Sequence, residues 1–124
     1  MQVSLTEIYA SLRDHFAGIC DKVFIDNAPN AVAEPMSSYL ILDVDSVTRN
    51  AGTWRLSQLR IWICVRKRES GVQDLPTINE KTNAVLSRIP TSNDLFSVTS
   101  PQLEIGMQEG EFSYSLVECS LIIK

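Results

Sequence analysis

The segment TWRLSQLRIWICVR, Thr53 to Arg66, decides the fold, because its β-branched and aromatic residues predict one long strand. The hydrophobic positions change parity inside it. Leu56 is even-numbered, whereas the hydrophobic residues that follow are odd-numbered, namely Leu59, Ile61, Ile63 and Val65. One extra residue near Ser57-Gln58 would return them all to one buried face, so we predict a β-bulge there. The alternative is that Trp54 and Trp62 lie on the other face, which a helix or another subunit would then cover.

The chain before this strand begins with an amphipathic helix. Ser4 and Glu7 have the spacing of a capping box, and hydrophobic residues then recur at helical intervals, which predicts a helix from about Leu5 to Ala17. A short edge strand is expected at Lys22–Asp26, and the Pro-containing and Asn-containing segment Asn27–Ser37 is typical of a loop.

The hydrophobic run Tyr39–Val44 predicts a central strand immediately before the long one. Asp45–Gly52 joins the two strands as a polar connection. On the other side of the long strand, the polar loop Lys67–Asp74 leads into a second helix from about Leu75 to Ile89, which Asp74 or Thr77 can cap.

The C-terminal part predicts a second hairpin. Thr91–Ser100 is typical of a loop, and alternating hydrophobic residues then indicate a half-buried strand, namely Leu103, Ile105 and Met107. A turn at Gln108–Glu111, with Gly110 available for positive φ, connects it to a last strand over Phe112–Ile123. That strand also changes parity, so a second bulge or a strong twist is expected in it.

Together these elements predict an α+β fold. Residues 1–124 are expected to form a single domain with one twisted, mainly antiparallel sheet, two helices packed on one face, and the order α-β-β-β-α-β-β. Hydrophobic residues make up 44% and charged residues 21%, which is ordinary for a globular protein. We expect no secretory signal and no membrane span, because the start lacks a basic and apolar leader and the apolar runs are short.

Catalytic chemistry finds little support in the residues. His15 is the only histidine and is expected to be solvated on the first helix, and no cysteine pair has zinc-ligand spacing. Cys20, Cys64 and Cys119 lie among apolar residues, which favours reduced, buried thiols, although a Cys64–Cys119 disulfide stays open. We therefore expect no enzyme activity, no cofactor and no metal.

Two carboxylates remain as the best candidates for acid–base work or Mg²⁺ binding. Asp43 and Asp45 alternate on a strand and so point to one side. The ordinary interpretation is a polar strand end or a salt bridge to Arg55 or Arg60. The formal net charge of −4 also argues against non-specific nucleic-acid binding.

Tryptophan and arginine point instead to a protein interface, because both are enriched at interaction hot spots. A sheet surface with Arg60, Trp62 and Arg66 on one side could stack a base, but solvated strand-end charges or contact with a partner protein are favoured. The candidate interface residues are Trp54, Arg60, Trp62, Arg49, Arg66, Lys67 and Arg68.

The order of elements, with the phrases KVFIDNAP (Lys22–Pro29) and EPMSSYLILDV (Glu34–Val44), resembles the tail-terminator and tail-completion proteins of long-tailed phages and prophages. The resemblance implies a hexameric ring that ends the tail tube and joins it to the head connector. It also implies a tube protein and a connector protein as partners, with DNA passing through the ring without sequence-specific binding. Such a subunit would be made in the cytoplasm and become part of the virion.

On this interpretation Trp54 and Trp62 have an interface role, and the loops Asp45–Gly52 and Lys67–Asp74 project toward the lumen or the partner ring. Two other classes stay open. One is a small intracellular binding or adaptor protein of a mobile-element operon, with the same fold and no ring. The other is a small enzyme that would depend on Asp43.

Overall fold

A computed structural model describes residues 4–26, 36–45, 49–51 and 54–124. Two helices and one seven-stranded sheet make the fold α+β. The elements follow one another as α1 (Leu5–His15), β1 (Lys22–Ile25), β2 (Ser38–Val44), β3 (Arg49–Ala51), β4 (Trp54–Arg66), α2 (Leu75–Leu86), β5 (Thr91–Ser92), β6 (Phe96–Glu109) and β7 (Phe112–Ile123). Neither helix is long and apolar enough to cross a membrane within the described ranges.

The sheet is mixed. Its strands lie in the order β1-β2-β4-β7-β6-β5, and β3 pairs with the beginning of β4. β1 is parallel to β2, whereas every other pair is antiparallel. The expected order α-β-β-β-α-β-β does not appear as such, because β3 and β5 are additional short strands. β3 lies inside the connection Asp45–Gly52, and β5 lies inside the expected loop Thr91–Ser100.

Helix α1 begins where the sequence predicts. The Ser4 side chain accepts a hydrogen bond from the Glu7 amide, and the Glu7 side chain accepts one from the Ser4 amide, so the capping box is confirmed. Of the two candidate caps for α2, Asp74 is the one used, because its carboxylate accepts hydrogen bonds from the Thr77 amide and hydroxyl. Both helices end two or three residues before the predicted ends.

The two helices pack against the same face of the sheet and form the main core with it. This core includes Ile8, Leu12, Phe16, Leu40, Leu42, Leu59, Ile61, Ile63, Val85, Phe96, Val98, Val117, Cys119 and Leu121. Arg88 ties the helix ends together, because its guanidinium donates to the carbonyl oxygens of His15 and Ala17, each at 2.8 Å. The His15 ring nitrogen Nε2 lies 2.9 Å from the Arg88 carbonyl oxygen, so His15 is half-buried and hydrogen-bonded just beyond the end of the second helix rather than fully solvated.

The bulges predicted in the two long strands are wrong. β4 and β7 pair without interruption from Arg55 opposite Ile123 to Arg66 opposite Phe112. The parity change arises because both faces of these strands carry hydrophobic residues, so hydrophobicity does not mark one face alone. Register shifts occur instead in β6, between Thr99 and Gln102 and between Glu104 and Met107.

The irregular β6 also changes the burial expected for it. Leu103 was predicted to be half-buried but is 45% exposed, although it lies opposite the buried Val117. The side chains of Ile105 and Met107 lie outside the described part, as does most of the predicted loop Asn27–Ser37. The turn prediction is confirmed at Gly110, which has φ of +59° between β6 and β7.

Candidate functional site

The face of the sheet that points away from the two helices has its own side-chain pattern, and we call it the distal face. The unbroken pairing of β2, β4 and β7 places these side chains on it: Tyr39, Ile41 and Asp43 of β2, the even-numbered residues Leu56 to Arg66 of β4, and the even-numbered residues Phe112 to Ile122 of β7. Alternation along strands is the reason, since successive side chains point to opposite faces. Trp62 and Arg60 are therefore neighbours on this face.

A second hydrophobic cluster occupies the middle of the distal face. Its buried members are Met36, Tyr39, Cys64 and Phe112, and the half-buried members packed on them are Phe24, Ile41, Trp62 and Tyr114. Within the described ranges, neither helix contributes a residue to this cluster. Trp62 therefore lies on the face opposite the helices, as the second alternative predicts, and cover of that face by another subunit stays a prediction.

Edge-to-face aromatic contacts hold this middle region together. The rings of Trp62 and Tyr114 lie 5.6 Å apart at 67°, and those of Tyr39 and Phe112 lie 5.1 Å apart at 70°. Such T-shaped pairs add about 0.5–1.5 kcal/mol to the burial of their surfaces. Trp62 stays half-buried because Ile41 and Leu116 flank it on the neighbouring strands.

An acidic cluster, formed by Asp43, Asp45 and Glu118 around Arg60, lies at one end of the distal face. The Arg60 guanidinium donates to Asp45 Oδ1 at 2.7 Å and to Asp43 Oδ2 at 3.4 Å. Glu118 is the residue opposite Arg60 on β7. The hydrogen bond to Asp45, followed by the nearby carboxylate charges, raises the pKa of Arg60. The structure therefore confirms the salt-bridge interpretation of Asp43 and Asp45, with Arg60 as the partner.

Leu56 lies beyond the acidic cluster on the same face. It is 40% exposed and stands opposite the half-buried Ile122 of β7. Neither Leu56 nor Ile122 is among the residues predicted for the interface, because the predicted bulge would have turned Leu56 toward the core.

A basic pocket lies at the opposite end of β4, where the loop after β4 meets the β6–β7 turn. Its volume is about 400 Å³, and the residues that matter for its chemistry are Arg66, Lys67, Arg68, Glu69 and Glu111. The Lys67 amide donates to the Glu111 carbonyl oxygen at 2.8 Å, which joins the two loops. Arg68 and Gly71 close the first loop through a backbone hydrogen bond of 2.8 Å.

The cations of this pocket differ in how they are held. Arg66 is fixed, because its Nε donates to the Met36 carbonyl oxygen at 3.0 Å, its Nη1 pairs with Glu111, and its guanidinium carbon lies 4.6 Å from the centre of the Phe112 ring. Arg68 contacts Asp74 at 3.6 Å. The Lys67 ammonium makes no ion pair within the part of the chain that the structure describes.

The structure places five of the seven predicted interface residues along one side of the protein, in two groups rather than one. Arg60, Trp62 and Arg66 share the distal face, and Lys67 and Arg68 continue from Arg66 into the pocket. Arg49 lies in β3 and Trp54 lies in β4, but the structure describes only their backbone and not their side chains.

The cysteines have environments that oppose nucleophilic chemistry. Cys64 is on the distal face and Cys119 is in the main core, on opposite sides of the sheet, so the disulfide between them is wrong and both are free thiols. Burial raises the pKa of Cys119 to about 11 and also raises that of Cys20. Elevated thiol pKa values disfavour the reactive thiolate at neutral pH.

The described residues contain no group of three or more histidine, cysteine, aspartate or glutamate side chains that could hold a metal ion. Comparison with models of known protein families gives no match for this chain, and comparison with curated proteins gives none either.

Proposed function

We propose that this protein is the subunit of a ring that terminates a phage-type tail tube and joins it to the head connector. The distal face is the observation that carries this proposal. It presents a half-buried tryptophan, an exposed leucine and charged ends, on a side where neither helix packs among the described residues. A sheet face with such a composition is suited to contact with another protein.

The proposed framework consists of the two helices and the five strands of four or more residues, in the family order α-β-β-β-α-β-β. β3 and β5 are then short local additions. The proposed mechanism is geometric rather than catalytic. Six copies close into a ring through repeated head-to-tail contacts, one rim meets the last ring of the tube protein, and the other rim meets the connector protein.

The acidic composition of the chain suits a ring through which DNA passes, because excess negative charge disfavours retention of the phosphate backbone. No cofactor enters this function. The subunit is made in the cytoplasm and becomes part of the virion.

Electron microscopy of the purified protein tests the proposal directly. We expect particles with a central hole and a mass in solution six times the 13.9 kDa of one chain. A protein that stays monomeric or dimeric at high concentration would instead favour an adaptor protein of a mobile-element operon.

Replacement of Leu56 by arginine is expected to weaken ring assembly while leaving the subunit folded. Leu56 is already 40% exposed on the distal face, so the subunit loses little burial, whereas a contact between copies would gain a misplaced charge. The measurement is sedimentation velocity over a concentration series, with circular dichroism as the check on folding.

Leu103→Arg is the matched control for this experiment. Leu103 is 45% exposed, but it lies opposite Val117 and so on the side of the sheet that faces the helices. We expect its rings to persist. Equal assembly of both variants would show that the Leu56 end of the distal face does not contact a neighbour.

A further inference from the structure

Two parts of the distal face differ in charge. The acidic cluster contains three carboxylates and one guanidinium, which gives a net charge of −2. The basic pocket is lined by three cations and two carboxylates, and Asp74 beside Arg68 adds a third carboxylate, so Lys67 is the cation of the pocket that no described carboxylate pairs with. About six residues of β4 separate Arg60 from the pocket, a distance of about 20 Å. One chain therefore carries a net-negative cluster and, far from it, a lysine that can meet such a cluster on another copy.

Exposed hydrophobic side chains accompany both charged regions. Leu56 lies four residues before Arg60 on β4, on the same face, and is 40% exposed. Val72 and Leu75 lie in and just after the loop that forms the basic pocket and are 57% and 54% exposed. One exposed apolar side chain therefore accompanies each region, Leu56 on the distal face and Val72 in the loop that forms the pocket.

The basic pocket is formed before any partner arrives. One backbone hydrogen bond connects its two loops, and the position of Arg66 over the Phe112 ring fixes one cation at its wall. Lys67 is the cation that can meet an incoming carboxylate, since no described acidic side chain pairs with it. Arg66 and Arg68 already contact Glu111 and Asp74 and contribute mainly to the local potential.

We propose that the basic pocket of one copy receives the acidic cluster of the next copy, with Lys67 facing Glu118. The inference rests on the proposed function, because it identifies the contact between ring subunits. When the same two copies do not also make the reciprocal contact, a pairing of two different patches is heterologous and repeats from copy to copy. A contact of this kind closes into a ring when the rotation between neighbouring copies divides a full turn evenly and no copy is shifted along the axis.

Charge reversal with rescue tests this contact. Lys67→Glu and Glu118→Lys are each expected to weaken self-association by about tenfold, because each places like charges opposite each other. The double variant K67E/E118K is expected to recover most of the loss, since it restores an opposite pair in reversed order. The measurement is sedimentation velocity at about 50 mM and about 1 M NaCl, and wild-type association is expected to fall at high salt.

Glu80→Lys provides the control for Glu118→Lys, because it makes the same charge change on an exposed position of α2. Thermal unfolding of every variant establishes that it is folded, and Lys67→Gln serves as a milder substitution if Lys67→Glu unfolds.

The outcomes separate this inference from the proposed function. Rings that are unaffected by either single reversal overturn the pairing and leave the ring in place. Single variants that lose assembly without recovery in the double variant also overturn the pairing of Lys67 with Glu118. A wild-type protein that remains monomeric at low salt overturns both the ring and the pairing.

Discussion

Replacement of Leu59 by alanine is expected to lower the free energy of unfolding by about 2–5 kcal/mol. Leu59 is fully buried in the main core, between the two helices and the sheet. Truncation removes buried methyl groups and leaves a cavity that the surrounding side chains fill only in part. Because small domains are stable by only about 5–15 kcal/mol, this change consumes a large share of the total. Urea denaturation followed by circular dichroism measures it.

Leu56→Ala is the matched control, because it removes the same atoms from the same strand three residues away. Leu56 lies on the distal face and is 40% exposed, so we expect a change within about 0.5 kcal/mol. The comparison also tests the register of β4. A bulge at Ser57-Gln58 would place both leucines on the buried face, and similar losses from the two variants would contradict the unbroken pairing with β7.

The parity of β4 shows what sequence reasoning could and could not provide. The length and position of the strand follow from its composition. A parity change, however, has two causes with the same signature, namely a bulge or a shift of apolar surface from one face to the other. β7 makes the second cause visible, because Phe112 and Leu116 lie on the distal face whereas Val117 and Leu121 lie in the main core. Only the pairing between distant strands distinguishes the two causes.

The irregular pairing of β6 has a signal in the sequence, which is Pro101. The first register shift lies between Thr99 and Gln102, and Ser100, just before the proline, has φ of +55°. A proline within a strand is typical of an edge or a bulge, because it cannot donate to the neighbouring strand. The parallel pairing of β1 with β2 had no comparable local signal, since strand direction depends on the path of the connection between them.

In the candidate site, too, some features are visible in the sequence and others depend on strand pairing. The triplet Arg66, Lys67 and Arg68 is contiguous, so its positive charge is visible in the sequence. The pocket also needs Glu111, which is 45 positions from Arg66 and reaches it only because β7 pairs with β4 along its whole length. Likewise, a salt bridge from Asp43 to Arg55 or Arg60 was expected from the sequence, but Glu118 joins Arg60 through the register of β7.

Removal of the Tyr9 hydroxyl is expected to cost about 1–3 kcal/mol of folding free energy. The buried hydroxyl accepts a hydrogen bond from the Val44 amide and donates one to Asp26 Oδ1, both at 2.9 Å. Tyr9→Phe leaves the buried amide of Val44 without this partner at the end of β2. Tyr114→Phe on the distal face is the control, and we expect it to change stability by much less. Denaturant unfolding at neutral pH gives both values.

The same hydroxyl makes the effect of Tyr9→Phe depend on pH. Burial, with a smaller contribution from Asp26, raises the pKa of Tyr9 to about 12 from its ordinary value of 10.0. Between these values the unfolded chain has lost the proton that the folded protein still holds, so unfolding becomes easier as the pH rises. The stabilisation by Tyr9 is therefore complete below pH 10 and is lost on approach to pH 12. The difference in unfolding free energy between wild type and Tyr9→Phe should accordingly shrink from about pH 10 to about pH 12, whereas a constant difference would mean that the buried hydroxyl titrates as it does in the unfolded chain.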